Sequence, residues 1–203
     1  NTSAYKNKSS VKNLFCAEMR ITMKIGVLAV QGAFIEHEHM IEKIGHTAIE
    51  IRQKDDLKGL DGLILPGGES TVQGQLLNKL DMMNDIKNMV SNGLPTLATC
   101  AGLILLSEHI ADDDTVHIGT LPVTVKRNAY GRQLSSFVTN ADIKHIGNYP
   151  MTFIRAPYIK NASDGVEVLA TVDNHIVAAR YNNQIGLSFH PELTGDTRIH
   201  EYF

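Results

Sequence analysis

Cysteine is scarce in this chain. Only Cys16 and Cys100 occur among 203 residues, and their unlike surroundings exclude a disulfide framework and zinc spacing of the paired Cys/His kind; a reducing compartment fits better. Long apolar runs are missing too. The longest, such as residues 103–106 and 63–65, fall far short of the roughly 20 residues that cross a bilayer, so no membrane role is indicated. The formal net charge of −3 comes with no long basic run, which argues against a surface that tracks nucleic-acid phosphates. There is no internal repeat and no low-complexity linker. With 43% hydrophobic and 20% charged residues, the chain has the make-up of one ordinary globular domain.

Residues 1–22, "NTSAYKNKSSVKNLFCAEMRIT", are polar and carry no periodic apolar face, whereas "MKIGVLAV" begins at Met23 as a strand would. The first 22 residues are read as an appended leader or extension, leaving 23–203 as a single domain in which Cys100 is the only cysteine. Within it, strands and helices alternate. "KIGVLAV" is a strand and "AFIEHEHMIEKIG" a helix, with Phe34, Ile35, Met40, Ile41 and Ile44 recurring at roughly helical spacing before Gly45. "HTAIEIR" and "DGLILPGGES" supply further strands, short helices follow to Asn92, and "LPTLATC" leads into a helix over residues 101–109. After Gly119, β-rich runs such as "PVTVKRN", "SSFVTNADI", "MTFIRAP" and "HIVAARY" read as antiparallel hairpins added to the sheet, and a last helix starts near Thr197. The expectation is a three-layer, flavodoxin-like α/β fold: an open, mostly parallel sheet with helices on both faces and added antiparallel strands.

In such sheets ligands bind beyond the carboxyl ends of the strands, and "PGGES", "TCAG" and "SFHPE" all end strands. "ATCAG" has the small–nucleophile–small pattern of an elbow between strand and helix. There the positive end of the helix dipole and free N–H groups favour a thiolate at Cys100; the plainer reading is a small buried hydrophobe. A thiol nucleophile needs a base and a group that orients the base. In "SFHPEL", His190 and Glu192 are two apart in extended backbone stiffened by Pro191, so imidazole and carboxylate can lie side by side; an ordinary turn is the alternative. The paired glycines of "LPGGES" can turn backbone N–H groups toward an oxyanion, or simply open a helix capped by Ser70. The spacing matches neither phosphate-binding loop pattern.

With Cys100, His190-Pro191-Glu192 and Pro66-Gly67-Gly68 in place, the sequence resembles the class I, triad-type glutamine amidotransferases. "GVLAVQGAFIEH", "LILPGGEST", "TCAGLILL", "RNAYGRQLSSF", "FIRAP" and "GLSFHPELT" resemble in particular the glutaminase subunits of the two-component pyridoxal 5′-phosphate synthase, over essentially all of 23–203. The resemblance implies that Cys100 attacks the side-chain amide of L-glutamine, that His190 shuttles the proton and that Glu192 orients His190. It implies oxyanion donors at Gly68 and Ala101, with Gln31 contributing on activation, and a glutamine pocket made by Gly68, Glu69, Ser70, Arg127, Ile154 and Arg155. No metal and no cofactor are implied. The implied partner is a (β/α)₈-barrel synthase subunit in a large hetero-oligomer, and the implied location is cytoplasmic. One departure is Ala98, where the elbow usually begins with glycine; alanine is small enough for activity to survive, but it puts the close approach of helix and strand in question.

Other readings stay open on the residues. A glutaminase feeding another pathway, such as imidazole glycerol phosphate synthesis, would share the triad, though "RNAYGRQ" argues against it. A non-catalytic module of the same fold could keep an elbow cysteine without the His/Glu pair, and a papain-like protease would not place His-Pro-Glu downstream. "EHEH" at residues 36–39 is read as a helix carrying His37 and His39 as surface or partner-facing residues, since positions two apart point to different sides. "DDD" at 112–114 is read as a solvated loop.

Overall fold

A computed structural model describes residues 21–127 and 136–203. The polar extension expected over 1–22 therefore lies, but for its last two residues, outside the described residues. So does most of "RNAYGRQ", of which Arg127 is described.

The parallel core of the sheet is built from β1 (Lys24–Leu28), β2 (Thr47–Ile51), β3 (Gly62–Leu65), β4 (Thr96–Thr99) and β12 (Gln184–Leu187). They lie side by side in the order β2-β1-β3-β4-β12, all parallel. This is the 2-1-3-4-5 order of flavodoxin-like sheets, which places ligands at the carboxyl ends of the strands. Beyond β12 the sheet continues through β11 (His175–Tyr181), β9 (Tyr158–Ala162), β6 (Leu121–Lys126) and β5 (Ser107–Ile110), and β10 (Glu167–Val172) pairs with β11. The joins β12-β11, β11-β9, β9-β6 and β10-β11 are antiparallel, whereas β5 and β6 are parallel.

Side-chain alternation along these strands divides the core in two. Leu28, Leu63 and Leu65 face a layer formed by α2 (Ser70–Lys79), α3 (Met83–Ser91) and α4 (Ala101–Leu106); Ile25, Val27 and Ile64 face α1 (Phe34–Lys43) and α5 (Arg198–Tyr202). On that second face also lies a separate two-stranded ribbon, β7 (Ser136–Ile143) with β8 (Gly147–Ile154). The expectation from the sequence is that these strands join the sheet as an antiparallel hairpin. Instead Tyr149, Met151 and Phe153 of β8 are buried in the second core, so the ribbon packs by its face, where apolar side chains gain more than an edge of backbone hydrogen bonds would.

Two other boundaries differ from expectation. The helix after Cys100 ends at Leu106, and Ser107–Ile110 is a strand. The N–H of Ile118, and that of Thr120, donate to the carbonyls of Leu105 and Leu106, so the last turn of the helix is satisfied from outside and the chain is freed to pair with β6. The strand β9 was not foreseen at all; "YIKNA" lies between two recognised runs and pairs with β6 and β11. No helix among the described residues is long and apolar enough to cross a membrane.

Candidate active site

Four strand ends meet at one edge of the sheet, and each delivers one part of the site. β4 ends in a tight turn at Cys100, whose φ of 50° and ψ of −102° place a non-glycine residue where L-residues rarely sit. Its N–H donates to Leu187 O at 2.8 Å, tying the turn to the neighbouring strand. Ala101 opens α4, so its N–H has no partner within the helix. The Cys100 thiol is nearly buried and lies 4.0 Å from the carbonyl oxygen of Ile154 at the end of β8.

After β12, Phe189 is fully buried against Phe153 and Tyr149, and the next residue, His190, donates its N–H to Thr152 O at 2.8 Å. The imidazole is thus fixed from two sides before its own contacts are counted. Its Nδ1 lies 2.7 Å from Glu192 Oε1, within a short 3-10 turn, Pro191–Leu193, so Nδ1 carries the proton and Nε2 is left for the thiol. Burial pushes His190 down, but hydrogen bonds to Cys100 and Glu192 outweigh it and raise its pKa to about 10. Burial likewise acts to raise Glu192, and the rings of His37 and His190 beside it more than compensate, so it stays a carboxylate.

The loop after β3 forms the facing wall. A Cβ on Gly67 would stand 2.4 Å from His190 Cε1, so the imidazole lies directly on the backbone and only glycine fits. Glu69 N–H donates to Gln31 Oε1 at 2.9 Å, and Gln73 Nε2 donates to the carbonyls of Gln31 and Pro66 at 3.0 and 3.2 Å. Gln73 is fully buried and staples the β1 and β3 loops together; its position on the first turns of α2, facing inward, was the only signal for it in the sequence.

Between these walls lies a cavity of about 420 Å³ lined by Gln31, Gly68, Glu69, Ser70, Cys100, Ala101, Arg127, Ile154, Arg155 and His190, among others. Every site residue expected from the sequence is thus gathered here except Glu192, which stands behind His190. Ser70 does not cap α2; Glu69 occupies that position and makes no side-chain cap bond. Arg155 pairs with Glu69 at 3.3 Å, and Arg127 with Asp113 at 3.0 Å. The buried Nε of Arg127 has no partner among the described residues.

Residues 27–203 match the sequence profile of the SNO glutamine amidotransferase family. This chain belongs to the SNO glutamine amidotransferase family. It is 59% identical, over 89% of its length and 92% of the relative's, to the pyridoxal 5′-phosphate synthase subunit PdxT of Desulfitobacterium hafniense (strain Y51). Identity to the PdxT of Streptococcus pneumoniae (strain ATCC 700669 / Spain 23F-1) is 52%, over 89% of this chain and 96% of that one. A crystal structure of a glutamine amidotransferase superposes with a TM-score of 0.84 at 40% identity, covering 88% of this chain and 95% of that chain. The structure of PurLQS from Thermotoga maritima, at 16% identity and a TM-score of 0.65, shares the fold.

One residue of this amidotransferase stands far from where the sequence reading put it. His37 is not a surface residue: it is fully buried, with Nδ1 2.9 Å from His200 Nε2, and Nε2 3.2 Å from Thr99 Oγ1 and 3.4 Å from Glu192 Oε2. His39, two positions on, is exposed as expected. The signal was present, because residues 34, 37, 41 and 44 form a single helical stripe.

Proposed function

We propose that this amidotransferase hydrolyses L-glutamine to L-glutamate and ammonia through a thioester on Cys100, as the glutaminase subunit of a pyridoxal 5′-phosphate synthase. The observation that carries the reading is the line Cys100–His190–Glu192 laid along a cavity walled by paired glycines. In the first step the Cys100 sulfur bonds to the side-chain amide carbon of glutamine, and the carbonyl electrons move onto oxygen. Gly68 and Ala101 both line the cavity, and their N–H groups would be the donors to that oxyanion. His190, which holds a proton strongly, gives it to the departing nitrogen, so ammonia leaves and a thioester remains. Water then bonds to the thioester carbon while His190 takes its proton; collapse returns the thiolate and releases glutamate. Glu192 holds the imidazole in the tautomer that both steps need.

The glutamine backbone would be held across the mouth of the cavity. Arg127 and Arg155 offer guanidinium groups to its carboxylate, and Glu69 offers a carboxylate to its ammonium. Both arginines are already paired with acidic residues, so substrate enters by exchanging partners. The synthase partner is a (β/α)₈ barrel in a large hetero-oligomer, docked over this edge to receive the ammonia before water protonates it. A cytoplasmic location suits a free catalytic thiol. Gln31, whose Oε1 now holds the Glu69 N–H, links the partner-facing β1 loop to the oxyanion wall, and docking would act through it.

The test is glutamate release from L-glutamine by the protein alone and with a synthase barrel added, with Cys100→Ala as control. Strong stimulation by the barrel that is lost in Cys100→Ala is the expected result. No Cys100-dependent release under either condition overturns the reading and leaves a non-catalytic member of the fold.

A further inference from the structure

His37 and His200 form a buried pair that the triad chemistry does not use, and they stand behind its carboxylate. Glu192 Oε1 accepts from His190, while Oε2, also buried, has no hydrogen bond of good geometry among the described residues. The group facing Oε2 is His37 Nε2 at 3.4 Å, a separation that a closure of a few tenths of an ångström turns into a hydrogen bond.

The protons on the two rings can be placed. A bare Nε2 on His37 would set a lone pair against a carboxylate in a dry interior, so Nε2 carries the proton. Nδ1 of His37 must then accept, and the donor 2.9 Å away is His200 Nε2. That leaves His200 Nδ1 bare, and it is a buried atom with no partner among the described residues. A lone pair tolerates this position; an N–H there would lose a full hydrogen bond. Both rings are therefore neutral. Burial keeps His37 below its ordinary value, and burial together with His37 takes His200 down to about 3. The charged or titratable groups facing His37 are Glu192 and His190 beyond β12, His200 on α5 and Glu36 on its own helix; Thr99 Oγ1 on β4 lies 3.2 Å from the same Nε2.

We propose that His37 is a positioning residue for the glutaminase reaction: as a neutral Nε2–H donor braced by His200, it holds the second oxygen of Glu192 and so fixes the carboxylate that orients His190. The line of side chains from the nucleophile then runs Cys100–His190–Glu192–His37–His200 and ties the site to α1 and α5. A neutral donor suits this place better than a cation, which would compete with His190 for the carboxylate charge.

The inference rests on the glutaminase reading, and the experiment separates the two. Wild-type protein, Cys100→Ala, His37→Ala and His37→Gln are assayed for glutamate release with the synthase barrel present, across pH, alongside thermal melting. Glutamine keeps a side-chain N–H; alanine does not. His37→Ala should lower kcat about tenfold with KM changed less than about twofold, and should move the alkaline limb of kcat/KM to lower pH because His190 loses a firmly held carboxylate. His37→Gln should restore most of both. Unchanged kcat and limb in His37→Ala, with only a lower melting temperature, would make His37 mere packing and overturn the proposal. Loss of Cys100 dependence in the wild type would instead sink the glutaminase reading. Should His37→Ala not fold, ¹H–¹⁵N spectra of the wild-type histidine rings decide: His37 must be neutral from pH 5 to 8, protonated on Nε2 and bare on Nδ1, and the opposite tautomer or a titrating ring refutes the idea.

Discussion

Alanine at position 102 gives a sharp test of how the elbow is built. Gly102 is the second residue of α4, and a Cβ there would lie 2.0 Å from the carbonyl oxygen of Leu65 and 2.7 Å from its carbon. Side-chain carbons do not approach backbone closer than 3.0 Å, so α4 and β3 must part by about 1 Å. Neither partner is a flexible side chain that could swing away. The displacement strikes both walls of the site at once, because α4 carries Cys100 and Ala101 at its start while Leu65 leads into Pro66, Gly67 and Gly68. A misplacement of about 1 Å costs about a hundredfold in rate, or about 2.7 kcal/mol of transition-state stabilisation. Forced overpacking adds about 1–3 kcal/mol of lost stability. Intrinsic propensity pulls the other way: alanine favours a helix over glycine by about 1 kcal/mol. The sign of the stability change is therefore informative. Gly102→Ala should lower kcat/KM for glutamine about a hundredfold and melt at a lower temperature. A variant that melts higher than wild type and keeps activity within about threefold would show that helix and strand are not in the contact described, and would refute the account of the elbow.

Two further outcomes are expected. Phe189→Ala removes a fully buried ring packed at a tilt against Phe153 and Tyr149 and should cost roughly 3–5 kcal/mol in urea unfolding, with a lower midpoint and an unchanged slope. Glu167 is held down to about 2, first by its hydrogen bond to Lys144 and then by that to His145; its folded value is depressed, so the stabilisation is complete above the ordinary carboxylate range near 4.5 and is lost as pH falls to about 2. The difference in melting temperature between wild type and Glu167→Gln should accordingly be present at pH 7 and close on acidification, and a difference independent of pH would contradict it.

The parallel strands were legible because each is a short run closed by a turn signal and alternates with helices, whereas their 2-1-3-4 order is seen only in the folded sheet. The elements that escaped are those decided by distant partners. "SEHI" continues a helical apolar run, yet it becomes a strand because β6 pairs with it and residues 118–120 take over the helix's last carbonyls. "YIKNA" has weak alternation of its own and is a strand because β6 and β11 flank it. Likewise "MTFIRAP" reads as a strand, but nothing local says that its ribbon covers a face rather than extending an edge.

The site divides along the same line. Cys100 and His190 could be named because each follows a strand with small or stiff neighbours, positions that converge in any sheet of this kind, and Glu192 because it stands two residues from His190 across a proline. His37 could not be placed by the rule that residues two apart diverge, for that rule separates His37 from His39 without saying which one faces in. The choice lay in the stripe 34, 37, 41 and 44, which makes His37 the polar member of an apolar face. A histidine on such a face needs partners, and the partners came from 62 and 163 residues away, at Thr99 and His200. The Glu192 carboxylate explains why the site tolerates so much buried polarity. One oxygen serves His190 and the other lies against His37, so a single charge organises three rings, and removing either contact would leave part of that charge buried without compensation. Ala98, where the elbow usually begins with glycine, is fully buried between Leu65 and Gly186 in the sheet, and the close approach of helix and strand is made instead by Gly102, where a Cβ would lie 2.0 Å from the carbonyl oxygen of Leu65.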